Sequence, residues 1–311
     1  MGVVCVIGGA NIDICGSSNN PLRNYDSNPG KIALSYGGVG RNIAQICALL
    51  DQKVRFVSCF SSDNYGQMMK KDCEHLGMDC SYSKIVDTLP SSMYIAILDH
   101  NRDMKIAMSD MRILREMDEE MLENVLHSLE SEDSIIIDAN LDMECIEYIV
   151  KHAHCSIAAD PVSANKASRL KAVLPGITIF KPNQYEAKEL TGIEITDEKT
   201  AQESLEWFLN LGVKEILISM ADKGLLLGTP EKKVWYTHRR IELENATGGG
   251  DTLLGAYVSK RLEGIEPHEA IKFAISASVS VIEQDAVNRR SLNVKDVEKK
   301  IDNMEIKEKK L

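Results

Sequence analysis

The chain has 311 residues, 44% of them hydrophobic and 27% charged, and its 36 Lys and Arg stand against 47 Asp and Glu for a net charge of −11. That length can bury a large core as one α/β domain or as a domain with a small appendage, and the acidic balance argues against duplex nucleic acid as a partner because no surplus cation is available to displace counterions. No apolar run approaches the roughly 18 residues of a membrane span, and the opening Met1-Gly2-Val3-Val4-Cys5-Val6 carries neither a basic export segment nor a myristoylation signal.

In chain order, the β-branched run 3–7 predicts a first strand, after which Gly8-Gly9-Ala10-Asn11-Ile12-Asp13 follows. Asn11 and Asp13 then stand at a strand's carboxyl end, where an amide and a carboxylate two residues apart suit a vicinal diol; both are equally common in turns. Residues 12–36 read as strands without a helix between them. Next comes the glycine cluster Gly37-Gly38-Val39-Gly40-Arg41-Asn42, which opens a helix over 42–50 and allows close approach of a ligand to backbone, with Asn42 facing a sugar hydroxyl. It is not a dinucleotide fingerprint, and no Walker motif exists in the chain.

A strand at 54–58 and a helix at 65–76 precede a second helix-free segment, 91–109, which reads as a hairpin with a turn at 99–103. Together with 12–36 it forms either a small separate sheet or an edge extension of a main sheet. Helices at 116–129 and 143–151 then alternate with strands at 134–138 and 156–159, and Asp160-Pro161-Val162 follows with Lys166 downstream, able to meet a phosphate or a substrate oxygen. The strand at 177–180 leads into Lys181-Pro182-Asn183-Gln184-Tyr185-Glu186, opening a helix over 183–190. Asn183 and Glu186 share one helical face, as a capping box or as a carboxylate ordering water around Mg²⁺. After a helix at 200–211 and a strand at 215–219, Ser219-Met220-Ala221-Asp222-Lys223-Gly224 reads as a turn or as a nucleotide-side loop. The charged tail 303–311 is expected to fray.

The densest chemistry lies at Asn245-Ala246-Thr247-Gly248-Gly249-Gly250-Asp251, which runs straight into a helix-like stretch. Three glycines can turn N–H groups inward, and a helix start adds its positive dipole end, so the segment reads as an anion hole with Asp251 at its rim, or as a glycine-rich loop capped by Asp at a helix N-terminus. A base beside such a hole suits phosphoryl transfer: Asp251 takes a hydroxyl proton while Gly248, Gly249 and Gly250 stabilise the transferred group. Alternation of strands and helices implies a mostly parallel sheet covered on both faces, with its site beyond the strands' carboxyl ends. The eight cysteines form no C-x-x-C pair and read as reduced thiols of a cytoplasmic protein.

Gly37–Ala44 and 245–251, with Asn183-x-x-Glu186 between them, resemble the two signatures of the PfkB, or ribokinase-like, family of carbohydrate and nucleoside kinases, and the resemblance spans nearly the whole chain. It implies a single ribokinase-like domain over 1–311: a three-layer αβα sandwich with a small β lid formed by 12–36 and 91–109. It further implies Asp251 as base, sugar contacts from Asn11, Asp13, Gly38 and Asn42, and Asn183 and Glu186 serving phosphate and Mg²⁺ water. ATP would be flanked by Ser219, Gly224, Thr247 and the helix near Ala274 and Ser278. Three departures stand out: Asn245 where the signature usually has Asp, Gly249 where it has Ala, and Ala221 where the nucleotide loop often has Gly. Some members of the family also hold K⁺ beside the anion-hole loop.

Within the family, Gly37–Ala44, Ala107-Met108-Ser109-Asp110-Met111 and Asp160-Pro161-Val162-Ser163-Ala164-Asn165-Lys166 look most like the pseudouridine kinases. That resemblance implies phosphorylation of a C-nucleoside 5′-hydroxyl and a companion pseudouridine-5′-phosphate glycosidase. Ser92, Tyr94, Ser109 and Lys166 would then meet the uracil ring, unless they are merely solvent-facing polarity. The rivals are a ribokinase, fructokinase or adenosine kinase activity and a catalytically silent nucleoside-binding protein, against which Asp251 and its glycines argue. An exposed β lid with an unpaired edge would suit a homodimer.

Overall fold

A computed structural model of the chain describes residues 2–238, 248–284 and 291–311. Its strands are β1 Val3–Ile7, β2 Asn11–Ser18, β3 Gly30–Gly37, β4 Lys53–Val57, β5 Cys59–Ser61, β6 Lys84–Val86, β7 Met93–Leu98, β8 Met104–Asp110, β9 Ser134–Asp138, β10 Ser156–Asp160, β11 Ile179–Phe180, β12 Glu215–Ser219, β13 Leu225–Gly228, β14 Lys233–Thr237 and β15 Lys307–Lys310. The helices are α1 Val39–Leu49, α2 Asn64–His75, α3 Glu119–His127, α4 Met143–His152, α5 Ala164–Ala167, α6 Gln184–Thr191, α7 Glu198–Asn210, α8 Gly249–Leu262, α9 Pro267–Ile282 and α10 Val294–Asn303.

Side-chain alternation along the strands generates three layers. Val4, Val6, Ile136, Ala158, Ile179 and Leu217 point into one core, where α1, α8, α9 and α10 pack. Cys5, Ile7, Ile135, Ile137, Ala159, Phe180, Ile216 and Ile218 point into the other, under α3, α4, α6 and α7. Strands buried on both faces need apolar residues at every position, which is why they read as continuous runs. Among the described residues the large sheet runs β15-β14-β13-β12-β11-β10-β9-β1-β4, parallel from β4 through β12 and antiparallel thereafter. Parallel pairing brings the carboxyl ends of β1, β9, β10, β11 and β12 to one edge.

Residues 12–36 and 91–109 contribute to a separate four-stranded sheet, β3-β2-β7-β8, and not to an extension of the large one. Its register sets Leu34, Ile14, Ile95 and Met108 in one row and Ile32, Gly16, Ile97 and Ile106 in the next. The adjoining Tyr36, Ile12 and Met93 pack on the main core, whereas Ile32, Met108 and Ile106 are 80%, 69% and 62% exposed. The hairpin turn is set by Asp99, whose carboxylate accepts the N–H groups of Asn101 and Asp103 at 2.8 and 3.0 Å.

The expectation of a frayed tail is overturned. Lys307–Lys310 pairs antiparallel with β14, and ion pairs join Glu308 to Lys272 at 2.9 Å and Lys309 to Glu198. A backbone ladder needs no apolar side chain, so a Lys-rich edge strand leaves no hydrophobic signal.

Candidate active site

At the carboxyl edge of the large sheet, Asp138 ends β9 fully buried. Its Oδ2 accepts the N–H groups of Gly9 at 3.0 Å and Gly40 at 2.7 Å, and its Oδ1 accepts that of Asn140 at 2.8 Å. One carboxylate thus ties together the loops after β1, β3 and β9. The glycines answer to this packing: a Cβ on Gly40 would stand 2.8 Å from Gly8 Cα, and one on Gly38, whose φ is 96°, would stand 2.4 Å from the Gly9 carbonyl. The sequence suggested room for a ligand at these positions; the structure shows protein backbone filling part of it. Burial pushes the Asp138 carboxyl up, against the pull of its amide donors.

Around this knot stand the expected substrate residues. Asn42, on α1, donates from Nδ2 to Asp251 Oδ2 at 2.8 Å. Asn11 donates to Asp13 Oδ1, and Asp13, Tyr94 and Ser109 occupy one row across the small sheet. Burial raises the Asp13 pKa, opposed by Asn11 and Arg41. Lys166 donates to Asn140 Oδ1 at 2.6 Å, joining the Asp138 cluster, and burial lowers its pKa. Ser92 is buried with an unpartnered Oγ; Ser109 is exposed.

Asp251 is the third residue of α8. Gly248 precedes that helix at φ 84° and supplies no side-chain cap, so the N–H groups of Gly249, Gly250 and Asp251 lack intrahelical acceptors and face the helix's positive end outward. Burial drives the Asp251 carboxyl up to about 7, with Asp160 adding to it, Asn42 and Lys181 opposing, and Asp138 adding a little more. A carboxylate poised there can exchange a proton near neutrality. Lys181, at the end of β11, pairs with Asp160, at the end of β10, at 2.9 Å, and both are buried.

Beside Asp251 opens a cleft of about 770 Å³, lined in part by Asn183, Ser219, Gly224, Gly250 and Ser278. On α9 the face turned to it carries Ile275, Ser278, Val279 and Ile282; Ala274, expected there, is packed in the core. Thr247 lies outside the described residues. Ser278 Oγ donates to the Gly249 carbonyl at 2.9 Å, and a Cβ on Gly249 would press Ile282 Cγ2 at 3.0 Å, so the Gly at this position matches a bulky neighbour. Ala221 adopts φ 51°, a left-handed conformation that costs a non-glycine residue about 1–2 kcal/mol, so a Gly would sit here without that strain.

Glu186 resolves as a capping partner: its Oε2 accepts the Asn183 N–H at 2.7 Å while Asn183 Oδ1 accepts those of Tyr185 and Glu186 at 2.8 and 3.0 Å. Burial and Asp160 raise its pKa. Its other oxygen can still accept from water, which fits a hard cation carried mainly by phosphates and water. The reading missed Asp138 and Lys181. Both end apolar strand runs, and a charge at the carboxyl end of a central parallel strand was the available signal.

The profile of the pfkB family carbohydrate kinases matches residues 1–292. The chain is 31% identical over 304 residues to the pseudouridine kinase of Escherichia coli K12, covering 97% of each. A crystal structure of a candidate sugar kinase from Clostridium perfringens superposes with TM-score 0.87 at 26% identity, covering 100% of this chain and 99% of that one. Ribokinase of Thermotoga maritima gives TM-score 0.83 at 23% identity, covering 97% and 100%. The fold is ribokinase-like.

Proposed function

The chain belongs to the pfkB family of carbohydrate kinases, phosphotransferases with an alcohol acceptor, and within it we propose that the chain transfers the γ-phosphoryl group of ATP to the 5′-hydroxyl of pseudouridine. The observation that carries the reaction type is Asp251, a half-buried carboxylate raised to a pKa of about 7 on a helix start without a side-chain cap, hydrogen-bonded to Asn42. Similarity to the pseudouridine kinase of E. coli along almost the full length supports the choice of substrate.

In this reading Asp251 takes the 5′-hydroxyl proton as the new O–P bond forms and the β,γ-bridging bond breaks, releasing ADP. The N–H groups of Gly249, Gly250 and Asp251 receive the charge that builds on the transferred group. Asn42, Asn11 and Asp13 orient the ribose, and Lys166, Tyr94, Ser92 and Ser109 meet the base. Mg²⁺ on the nucleotide phosphates supplies charge neutralisation, and Glu186 would hold one of its waters. The small sheet acts as a lid that excludes water, so phosphate passes to the nucleoside and not to solvent.

The apolar rows at Ile32, Leu34, Ile95, Ile106 and Met108 are exposed in a single copy and suit a second copy of the same sheet, giving a homodimer. The enzyme would work in the cytoplasm, ahead of a pseudouridine-5′-phosphate glycosidase. K⁺ beside the loop ahead of Gly248 is part of the same reading, and turnover with Na⁺ replacing K⁺ tests it.

The deciding experiment is ATP-dependent transfer to pseudouridine, uridine, adenosine, ribose and fructose, with Asp251→Asn as control. Preference for pseudouridine, lost in the variant, is the expected result. Preference for another acceptor would retain the chemistry and replace the substrate; binding without transfer would make the chain a silent nucleoside binder.

A further inference from the structure

One lysine is buried where four carboxylates converge. Lys181 is 5% exposed, and Asp138, Asp160, Glu186 and Asp251 surround the same edge of the sheet. Its Nζ lies 2.9 Å from Asp160 Oδ2, and a Cβ placed on Gly250 would stand 3.0 Å from that Nζ. The ammonium therefore presses against the first turn of α8, and Lys181 also lines the nucleotide cleft. Burial favours the neutral amine, but Asp160, Glu186 and Asp251 outweigh it and keep the Lys181 pKa above its ordinary value.

Asp160 is itself fixed. Its Oδ1 accepts the Val162 N–H at 2.7 Å, and Val162 takes φ 65°, a left-handed conformation that a β-branched residue adopts only when its surroundings impose it. An ammonium offers three donors, and Asp160 faces it as an ion pair whose Oδ2 accepts no hydrogen bond. A polyphosphate entering this acidic edge adds further negative charge, and a fixed cation is most effective where charge develops in a site shielded from water.

We propose that Lys181, positioned by Asp160, is a cationic arm of the phosphoryl-transfer site, donating from its ammonium to an oxygen of the transferring group beside the amides of α8. The inference rests on the reading of Asp251 as the base of a kinase. Lys181 keeps its proton throughout, so the bonds made and broken are those already given. It also bears on Gly250: a Cβ there would crowd the ammonium at 3.0 Å and push it a few tenths of an ångström from its place. Four groups face Asp251, namely Asn42 from α1, Asp138 from β9, Asp160 from β10 and Lys181 from β11. Of these, Lys181 and Asn42 favour its charged form.

The test uses Lys181→Met, Asp160→Asn and the double variant. Lys181→Met leaves Asp160 buried without its counter-ion and risks misfolding, whereas the double variant removes both charges and keeps the comparison available. The double variant is expected to lose about 10²–10³-fold in kcat with nucleoside KM changed by less than a few-fold. Calorimetry should show its affinity for the inert β,γ-imido analogue of ATP falling about tenfold relative to ADP, the size of one charge-assisted contact to the γ-phosphoryl group. In the single variants the acidic limb of kcat moves up by about one pH unit for Lys181→Met and down for Asp160→Asn. A double variant that turns over like the parent, with an unchanged analogue-to-ADP ratio, would overturn the proposal and reduce the pair to a structural one. Normal turnover by Asp251→Asn would instead remove the reading beneath it, a separate outcome.

Discussion

The two sheets of the molecule treat their faces in opposite ways. The large sheet buries both, and at its carboxyl edge glycine backbones touch each other around Asp138 with almost no slack. The small sheet buries the row that meets the main core, together with Ala96, and leaves Ile32, Ile106 and Met108 open. Dense packing holds the reacting groups in place, because a close-packed edge cannot deform gradually; a sheet anchored along one side remains free to move or to be covered. On the proposed reading, chemistry and closure fall to different parts of the fold.

The comparison can be broken most sharply at Asp251. Asp251→Asn should cut kcat by about 10²–10⁴-fold, yet thermal melting at pH 8 should be unchanged or higher, since the ionised carboxylate is held there against its burial. A lower melting temperature would mean that Asp251 serves the fold more than the reaction.

Glycine substitutions come next in size. Gly38→Ala combines φ 96° with a backbone contact at 2.4 Å and should cost about 2–4 kcal/mol in denaturant unfolding. Gly16→Ala in the small sheet meets only the Ile97 Cδ1 tip at 3.1 Å, which can turn aside, so its effect should stay within about 1 kcal/mol. Equal costs would refute the contrast in packing.

The pH dependence of kcat is the third handle. The Asp251 carboxyl is raised to about 7, so the fraction of active base should fall as pH drops through 7, about tenfold per unit further below. A limb near 4 would show that the carboxylate is solvated during turnover. The smallest effect on the monomer is expected at the outer rows: Ile106→Lys should leave melting within about 0.5 kcal/mol while shifting sedimentation from dimer to monomer. A parent protein that sediments as a monomer would remove the partner from that face.

Strands β1, β9, β10 and β12 were legible because burial on two faces forces unbroken β-branched runs, and the lid segments because they lack any helical period. The glycine loops and Asp251 were legible as chemistry, but the reasons for Gly38 and Gly40 were not, since they lie in the Gly8 and Gly9 backbone of another loop and, for Gly40, in the Asp138 carboxylate about a hundred residues away. Lys181 was hidden for the same cause: its partner Asp160 sits on the neighbouring strand, and a long-range ion pair leaves no local spacing. Strand β15 was misread because Lys-Glu-Lys-Lys earns its place through backbone pairing alone.

That last strand has a practical side. While it is in place, the outer rim of the large sheet offers lysines and a glutamate to the surroundings. A protein shortened after Asn303 would instead bare the hydrogen-bonding edge of β14, with Val234, Trp235 and Tyr236 along it, and two such rims can zip together. Shelf life in concentrated solution would then be governed by the eight residues 304–311, none of which lines the cleft beside Asp251.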